Sequence, residues 1–368
     1  MSNIFVRTTI APYRIDIYNA LHERLNMTMC FYNRIGKAQR FDMDMLESLC
    51  SFKPKYLSGI TLGSHNRKIC LGLWKMLRKE KPEIVIVPEF QISAMQVLIY
   101  RWLTRSKFKV VSMTDDSYDM ITNNNDFTKL HAFLRNNIAK YIDDFIVVTP
   151  QVEQWYKKRY GKGIWMPIIL DEKKTLRYYE SLLPKSREVV QRFGLEGKKI
   201  LLFVGRLVAL KNLTRVIEAY NKTLCEATLV IVGDGPERSL LENRARMLKK
   251  EIIFTGRFDG DDLYLWYNLA SCLILASYQE AFGAVTNEAL LSGCRVVVSE
   301  RAGSSCLVDD TNGELIDPMN EDGIASAIDR QMALAKVPDL ITPRCNLMPV
   351  SFEERISNLV FKIKEKVK

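Results

Sequence analysis

Short apolar runs alternate with amphipathic stretches along the whole chain, and this alternation restricts the fold more than any other feature. The runs are rich in Val, Ile and Leu and are almost continuously apolar, the pattern of strands buried on both faces of a parallel sheet. In the first half the strands are expected at 4–7, 28–32, 83–87, 108–113 and 144–149, with helices at 12–25, 66–81, 93–104 and 127–141. In the second half they are expected at 199–204, 228–232, 252–255, 272–276 and 295–299, with helices at 213–221, 236–249, 263–268 and 285–292. Two successive doubly wound α/β halves account for this order most simply.

The length of 368 residues agrees, because single cores stop growing at roughly 250–300 residues. The expected division is a first Rossmann-like domain over 1–168, a charged linker over 169–196 in which Pro184 opens a helix, and a second Rossmann-like domain over 197–348. A final helix over 349–368, with apolar residues at helical spacing, packs back on the first domain. Ligands of such sheets bind at the carboxyl ends of the strands. Two facing domains are therefore expected to enclose a cleft.

Composition excludes several classes. With 47% hydrophobic and 26% charged residues, disorder, collagen-like sequence and coiled coil are ruled out. No apolar run approaches the roughly 20 residues that span a bilayer, and the N-terminus lacks the pattern of a signal peptide. Eight cysteines without a C-x-x-C pair suggest free thiols in a reducing cytosol. His22, His65 and His131 lie too far apart in sequence to suggest a zinc site.

Two segments carry the candidate chemistry. The run at 200–204 ends in Gly205-Arg206, and Lys211-Asn212 follows before the next helix. Glycine admits close backbone approach, and two cations at a strand's carboxyl end can neutralise a diphosphate. Taken alone, the same residues make a solvated basic loop. The run at 272–276 leads through Glu280 to Phe282-Gly283-Ala284-Val285, where a glycine opens a helix that carries Glu288. Free amides at that helix start form an anion site. Glu280 and Glu288 suit sugar and ribose hydroxyls, or are an exposed loop acid and a helix-surface acid.

The combination resembles the retaining family-four glycosyltransferases of GT-B fold. Their Glu-x7-Glu motif matches Glu280 and Glu288, and their strand-G-R-x4-K motif matches Gly205, Arg206 and Lys211. Val232-Gly233-Asp234-Gly235-Pro236, Phe254-Thr255-Gly256-Arg257, Gly303-Ser304 and Asn312-Gly313 follow in the family's order. The resemblance implies a retaining, hexosyltransferase-type enzyme that takes a nucleotide sugar as donor and needs neither metal nor cofactor. It implies that Arg206 and Lys211 grip the diphosphate and Glu280 the donor sugar. The amides of Phe282, Gly283, Ala284 and Val285 would touch sugar or phosphate. Glu288 would bind the ribose, and the chain around Arg257 would line the base pocket. Front-face attack, with the leaving phosphate taking the acceptor's proton, is the implied mechanism. Asp42-Met43-Asp44 and Asp259-Gly260-Asp261 look like Asp-x-Asp metal motifs but are expected to be a solvated acid pair and a helix N-cap.

The first half matches less well. The family's glycine-rich loop is replaced by Thr8-Thr9-Ile10-Ala11-Pro12-Tyr13-Arg14, and the G-x-G-x-x-G of nicotinamide-binding folds is absent there. The resemblance puts the loop of Asp115 and Asp116 at the anomeric centre and acceptor, with Glu89 and the Tyr13-Arg14 turn on the acceptor side. Either aspartate would orient or deprotonate the acceptor hydroxyl, or simply cap the next helix.

The formal net charge of +10 lies entirely in residues 1–170, which hold 25 basic and 15 acidic side chains; the remainder holds 28 of each. Segments 68–79 and 100–109 mix cations with aromatic residues, which suits an anionic membrane surface as well as an ordinary amphipathic helix. No nucleic-acid recognition motif is present, so no nucleic-acid partner is expected. Lys75, Arg78, Lys79, Arg101 and Arg105 are the expected membrane contacts. The expected setting is cytoplasmic, peripheral on the inner face of the cell membrane, with a glycan or lipid-linked acceptor in capsule, lipopolysaccharide or other surface-polysaccharide synthesis. A GT-B-fold scaffold or nucleotide-sugar-binding subunit without turnover, and a sugar-nucleotide epimerase, remain alternatives.

Overall fold

The computed structural model describes residues 2–34, 42–62, 67–122 and 129–367. His65 and the first residues of the helices expected at 66–81 and 127–141 lie outside this set. The chain divides into two compact units, Met1–Leu170 with Phe352–Lys368, and Asp171–Ser351.

Among the described residues of the first unit, the strands are β1 (Asn3–Arg7), β2 (Met27–Phe31), β3 (Lys55–Tyr56), β4 (Gly59–Leu62), β5 (Arg67–Cys70), β6 (Ile84–Pro88), β7 (Lys109–Met113), β8 (Asp144–Val147) and β9 (Ile164–Trp165). Seven of them form a parallel sheet in the order β3-β2-β1-β6-β7-β8-β9, and β4 and β5 pair as an antiparallel hairpin. In the second unit β10 (Lys199–Val204), β11 (Ala227–Val232), β12 (Ile252–Gly256), β13 (Cys272–Leu275), β14 (Arg295–Ser299) and β15 (Gly313–Ile316) form a parallel sheet in the order β12-β11-β10-β13-β14-β15. The central strands are buried along their length except at Lys199, as helices on both faces of a parallel sheet require.

The linker expected over 169–196 is instead a 22-residue helix, Glu172–Phe193, within the second unit. Its charges mask a buried stripe of Thr175, Tyr179, Leu182, Leu183 and Ser186 that packs on the helix Asp261–Leu269. Phe193 meets Trp266 with ring centroids 5.1 Å apart. Pro184 lies inside this helix and does not open it. A proline removes one intrahelical bond and crowds the turn before it. Asn268 Nδ2 donates to the Tyr179 carbonyl at 2.9 Å, a further tie between this helix and Asp261–Leu269.

The helix expected at 66–81 also differs: β5 takes Arg67–Cys70, and Gly72 at φ +82° starts a shorter helix at Leu73. At the other end, the helix Phe352–Glu365 groups with the first unit. There Arg24 and Glu353 pair at 2.6 Å, the Arg355 guanidinium lies over the Trp165 ring at 4.6 Å, and Lys366 pairs with Asp144 at 3.1 Å. With the tail counted in, the first unit holds 30 basic and 18 acidic residues, a surplus of twelve. All eight cysteines are free thiols. Among the described residues no helix is long and apolar enough to cross a membrane.

Candidate active site

In the second sheet the strand order reverses between β10 and β13, so a crevice opens where their carboxyl ends diverge. Both candidate segments emerge there. The loop after β10 is held by its neighbours: Leu207 N donates to Asp234 O at 3.0 Å, Glu237 N to Leu207 O at 3.1 Å, and Tyr278 N to Leu210 O at 2.9 Å. Asn212 sits at φ +60° and donates Nδ2 to the carbonyls of Ala276 (3.1 Å) and Pro318 (2.8 Å). These bonds tie the loop after β10 to the loop after β13. Arg215 adds to the brace by lying over the Tyr278 ring at 5.6 Å.

Lys211 consequently reaches the Glu280 carboxylate and pairs with it. Ser277 Oγ approaches the same carboxylate at 3.5 Å. Arg206 is exposed and, among the described residues, its guanidinium has no partner. The glycines are needed for close approach. A Cβ on Gly233 would lie 1.8 Å from Gly205 O, and one on Gly303 would lie 2.3 Å from Ala281 O.

Gly283, at φ +92°, caps the helix Ala284–Leu291. Gly303 N donates to Glu280 O at 3.1 Å and Ser304 N to Phe282 O at 2.7 Å, which fixes the loop ahead of the helix. First-turn amides such as those of Ala284 and Val285 have no acceptor within their own helix. Glu288, about one turn further on, is partly buried, and one carboxylate oxygen accepts from Tyr267 Oη at 2.5 Å. Burial raises its carboxyl above the usual range, while the Tyr267 hydroxyl acts in the opposite direction. Among the described residues its other oxygen has no partner. Arg257 follows β12, two strands from β10, and closes in bidentate fashion on Asp259 at 3.0 and 3.1 Å.

The first sheet reverses between β1 and β6, and a charged cluster occupies that edge. Asp115 pairs with Arg14 and, at 2.7 Å, with Arg7, whose Nη1 also donates to Met113 O at 2.8 Å. Burial would raise the Asp115 carboxyl, but the Arg14 and Arg7 guanidiniums hold it below the usual range. So held, it is a weak proton acceptor. Asp116 is fully buried, accepts from Tyr156 Oη at 2.5 Å, and faces His131 Nε2 at 3.7 Å and Arg135 Nη1 at 3.9 Å. The expectation that Asp116 meets the acceptor is thus corrected: its carboxylate holds the loop from inside. Glu89 is largely buried in the cluster, accepting from Asp115 N at 3.2 Å and lying 3.7 Å from His131 Nε2. Tyr13 is half-buried near Asp115, its hydroxyl raised by burial and then by that carboxylate.

Burial pushes Asp116 up to about 6, partly opposed by His131. A raised carboxyl favours folding while protonated, so its contribution is full below pH ~4 and is lost as pH rises through about 6. That loss amounts to about 3 kcal/mol. The urea midpoint of Asp116→Asn should accordingly show a flatter decline between pH 4 and 7 than the unmodified protein; an identical slope would contradict the assignment.

Sequence reasoning missed Arg7, His131, Arg135, Tyr156 and Tyr267, each supplied by an element remote in the chain from the residue it holds. Arg7 alone left a signal, as a cation closing an apolar strand. Both Asp-x-Asp pairs are engaged. Asp42 caps the helix Met43–Ser48, Asp44 pairs with Arg34, Asp259 with Arg257, and Asp261 accepts from Tyr178. The N-cap of the helix at Asp261 is Gly260, not either aspartate. Among the described residues no three His, Cys, Asp or Glu side chains gather as a metal site.

Two Rossmann-like units, each with a crevice at its strand-order reversal, define the GT-B class. The match to solved structures agrees: the apo form of the lipopolysaccharide outer core galactosyltransferase WaaB superposes with TM-score 0.70, covering 98% of this chain and 99% of that one at 19% identity. The Anabaena protein HepE, solved with UDP and glucose, gives TM-score 0.69 over 100% and 98% at 15% identity. Residues 186–340, which lie almost wholly in the second unit, match the family model "Glycosyl transferases group 1". An uncharacterized glycosyltransferase of Methanocaldococcus jannaschii is 36% identical over 143 residues, 38% of this chain and 37% of that protein. The aligned part thus spans little more than a third of that relative's length.

Proposed function

We propose that the chain is a retaining glycosyltransferase, working without a metal, that moves a sugar from a nucleoside diphosphate in the second unit to a glycan or lipid-linked acceptor received by the first. The observation that carries this reading is the convergence of Arg206, Lys211, Glu280 and the Gly283 helix start at one strand-order reversal.

Without donor, Lys211 and Glu280 neutralise each other. A diphosphate draws Lys211 away, and Arg206, unpartnered among the described residues, meets it. Glu280, once released, accepts from hydroxyls of the sugar, and Glu288 accepts from the ribose. Transfer breaks the bond between the anomeric carbon and the diphosphate oxygen. The acceptor oxygen bonds to that carbon on the same face, and its proton passes to the departing phosphate. Charge growing on the phosphate is stabilised by two cations and a helix N-terminus, preorganised donors of the kind worth 10²–10³ each in rate. Uridine diphosphate is the first nucleotide to test, as HepE was solved with it. Surface-glycan assembly at the inner face of a membrane fits the surplus of twelve positive charges in the first unit.

A thermal-shift comparison of UDP, GDP and ADP tests donor binding. One nucleotide should raise the midpoint clearly above the others, since about 2.7 kcal/mol of stabilisation accompanies a hundredfold excess over Kd. No shift with any of them would reject the reading.

A further inference from the structure

At the amino ends of β6 and β7, opposite the edge that bears Asp115, the first unit has a cavity of about 520 Å³. Arg78, Lys81, Lys107 and Lys109 line it, with Glu83 as its one acidic wall residue and Tyr100 and Phe108 as apolar walls. None of these four cations has a side-chain partner among the described residues. Four like charges around one cavity repel one another, and an anion between them removes that repulsion.

The helix Ile92–Thr104 ends beside this cavity and leaves apolar residues in solvent: Trp102 is 77% exposed and Leu103 57%. Arg105, on the turn that follows, is also exposed and unpaired among the described residues. Arg101, expected to be a surface contact, is instead a brace: it pairs with Asp143 and donates to Tyr141 O at 2.5 Å and Phe108 O at 3.3 Å. That brace holds the end of the helix against β7. A bulky aromatic with an apolar neighbour, next to unpaired cations, is the chemistry of a surface seated at the headgroup level of a bilayer.

We infer that this cavity receives the phosphate of an anionic lipid while Trp102 and Leu103 enter the headgroup region, so that the first unit docks on a membrane by the edge opposite its charged cluster. The inference rests on the reading of a membrane-surface enzyme and adds the site that makes the contact. Soluble phosphate would satisfy the four cations but leave Trp102 and Leu103 in water. The lipid accounts for both features.

Co-sedimentation with vesicles tests it, using phosphatidylcholine alone and phosphatidylcholine with about a third phosphatidylglycerol, at a salt concentration near physiological. The full chain should bind the anionic vesicles and not the neutral ones. Each cation near such a surface multiplies partitioning by about five, so the double change Lys81→Ala and Lys107→Ala should lower it about 25-fold. Trp102→Ala should weaken binding at high salt as well, where the charge contribution is screened. Nucleotide-induced thermal shifts of both variants should equal those of the unmodified protein. Equal binding of the charge variant and the unmodified protein would overturn the inference. So would a thermal response to inorganic phosphate without vesicle binding. Vesicle binding without any nucleotide response would instead reject the proposed function and leave the docking site standing.

Discussion

Replacing Arg206 by alanine should lower kcat/KM for sugar transfer by about 10²–10³ while leaving the urea midpoint of the protein unchanged. The guanidinium is exposed and unpartnered among the described residues, so the fold does not depend on it. Its interaction begins with the donor diphosphate and strengthens as charge builds there, so kcat should fall as well as affinity. Lys211→Ala provides the contrast. It removes a cation of similar role but also leaves the partly buried Glu280 carboxylate unpaired, so stability as well as rate should change. If Arg206→Ala transfers sugar at the unmodified rate, the crevice between β10 and β13 is not the donor site.

Gly233→Ala should be the most damaging single methyl in the second unit. The added Cβ would lie 1.8 Å from Gly205 O, so the loop after β10 would have to move. That loop carries Arg206 and Lys211, and its backbone bonds to Asp234 and Tyr278 would move with it. A loss of about 3 kcal/mol or more is expected in urea unfolding, or failure to accumulate as folded protein. Any folded fraction should have lost nucleotide affinity. Gly72→Ala is the control: it also has positive φ, +82°, but among the described residues nothing lies within 4 Å of its Cβ. It should cost about 1 kcal/mol and leave nucleotide binding intact.

The contrast between these glycines mirrors what the sequence could convey. Strands such as Lys199–Val204 and Arg295–Ser299 were legible because a strand buried on both faces leaves a continuous apolar run. Arg206, Lys211, Glu280 and Glu288 were legible because strand ends and a helix start hold them at short, fixed spacings. The helix Glu172–Phe193 was not, because its buried stripe is narrow and its other faces are charged. The two-residue edge strands Lys55–Tyr56 and Ile164–Trp165 are too short to show a period. Asp115 and Asp116 were legible as residues but not as roles. Arg7, Arg14, Tyr156 and His131 decide those roles, and they come together only through the sheet.

The central claim is tested most directly by following label from UDP-, GDP- and ADP-sugars into membrane-extractable product, with the full chain and with Glu280→Ala. One donor should give labelled product with stoichiometric release of its nucleoside diphosphate, and Glu280→Ala should reduce both by at least about 10²-fold. No product from any donor, or equal rates for the two proteins, would contradict the account.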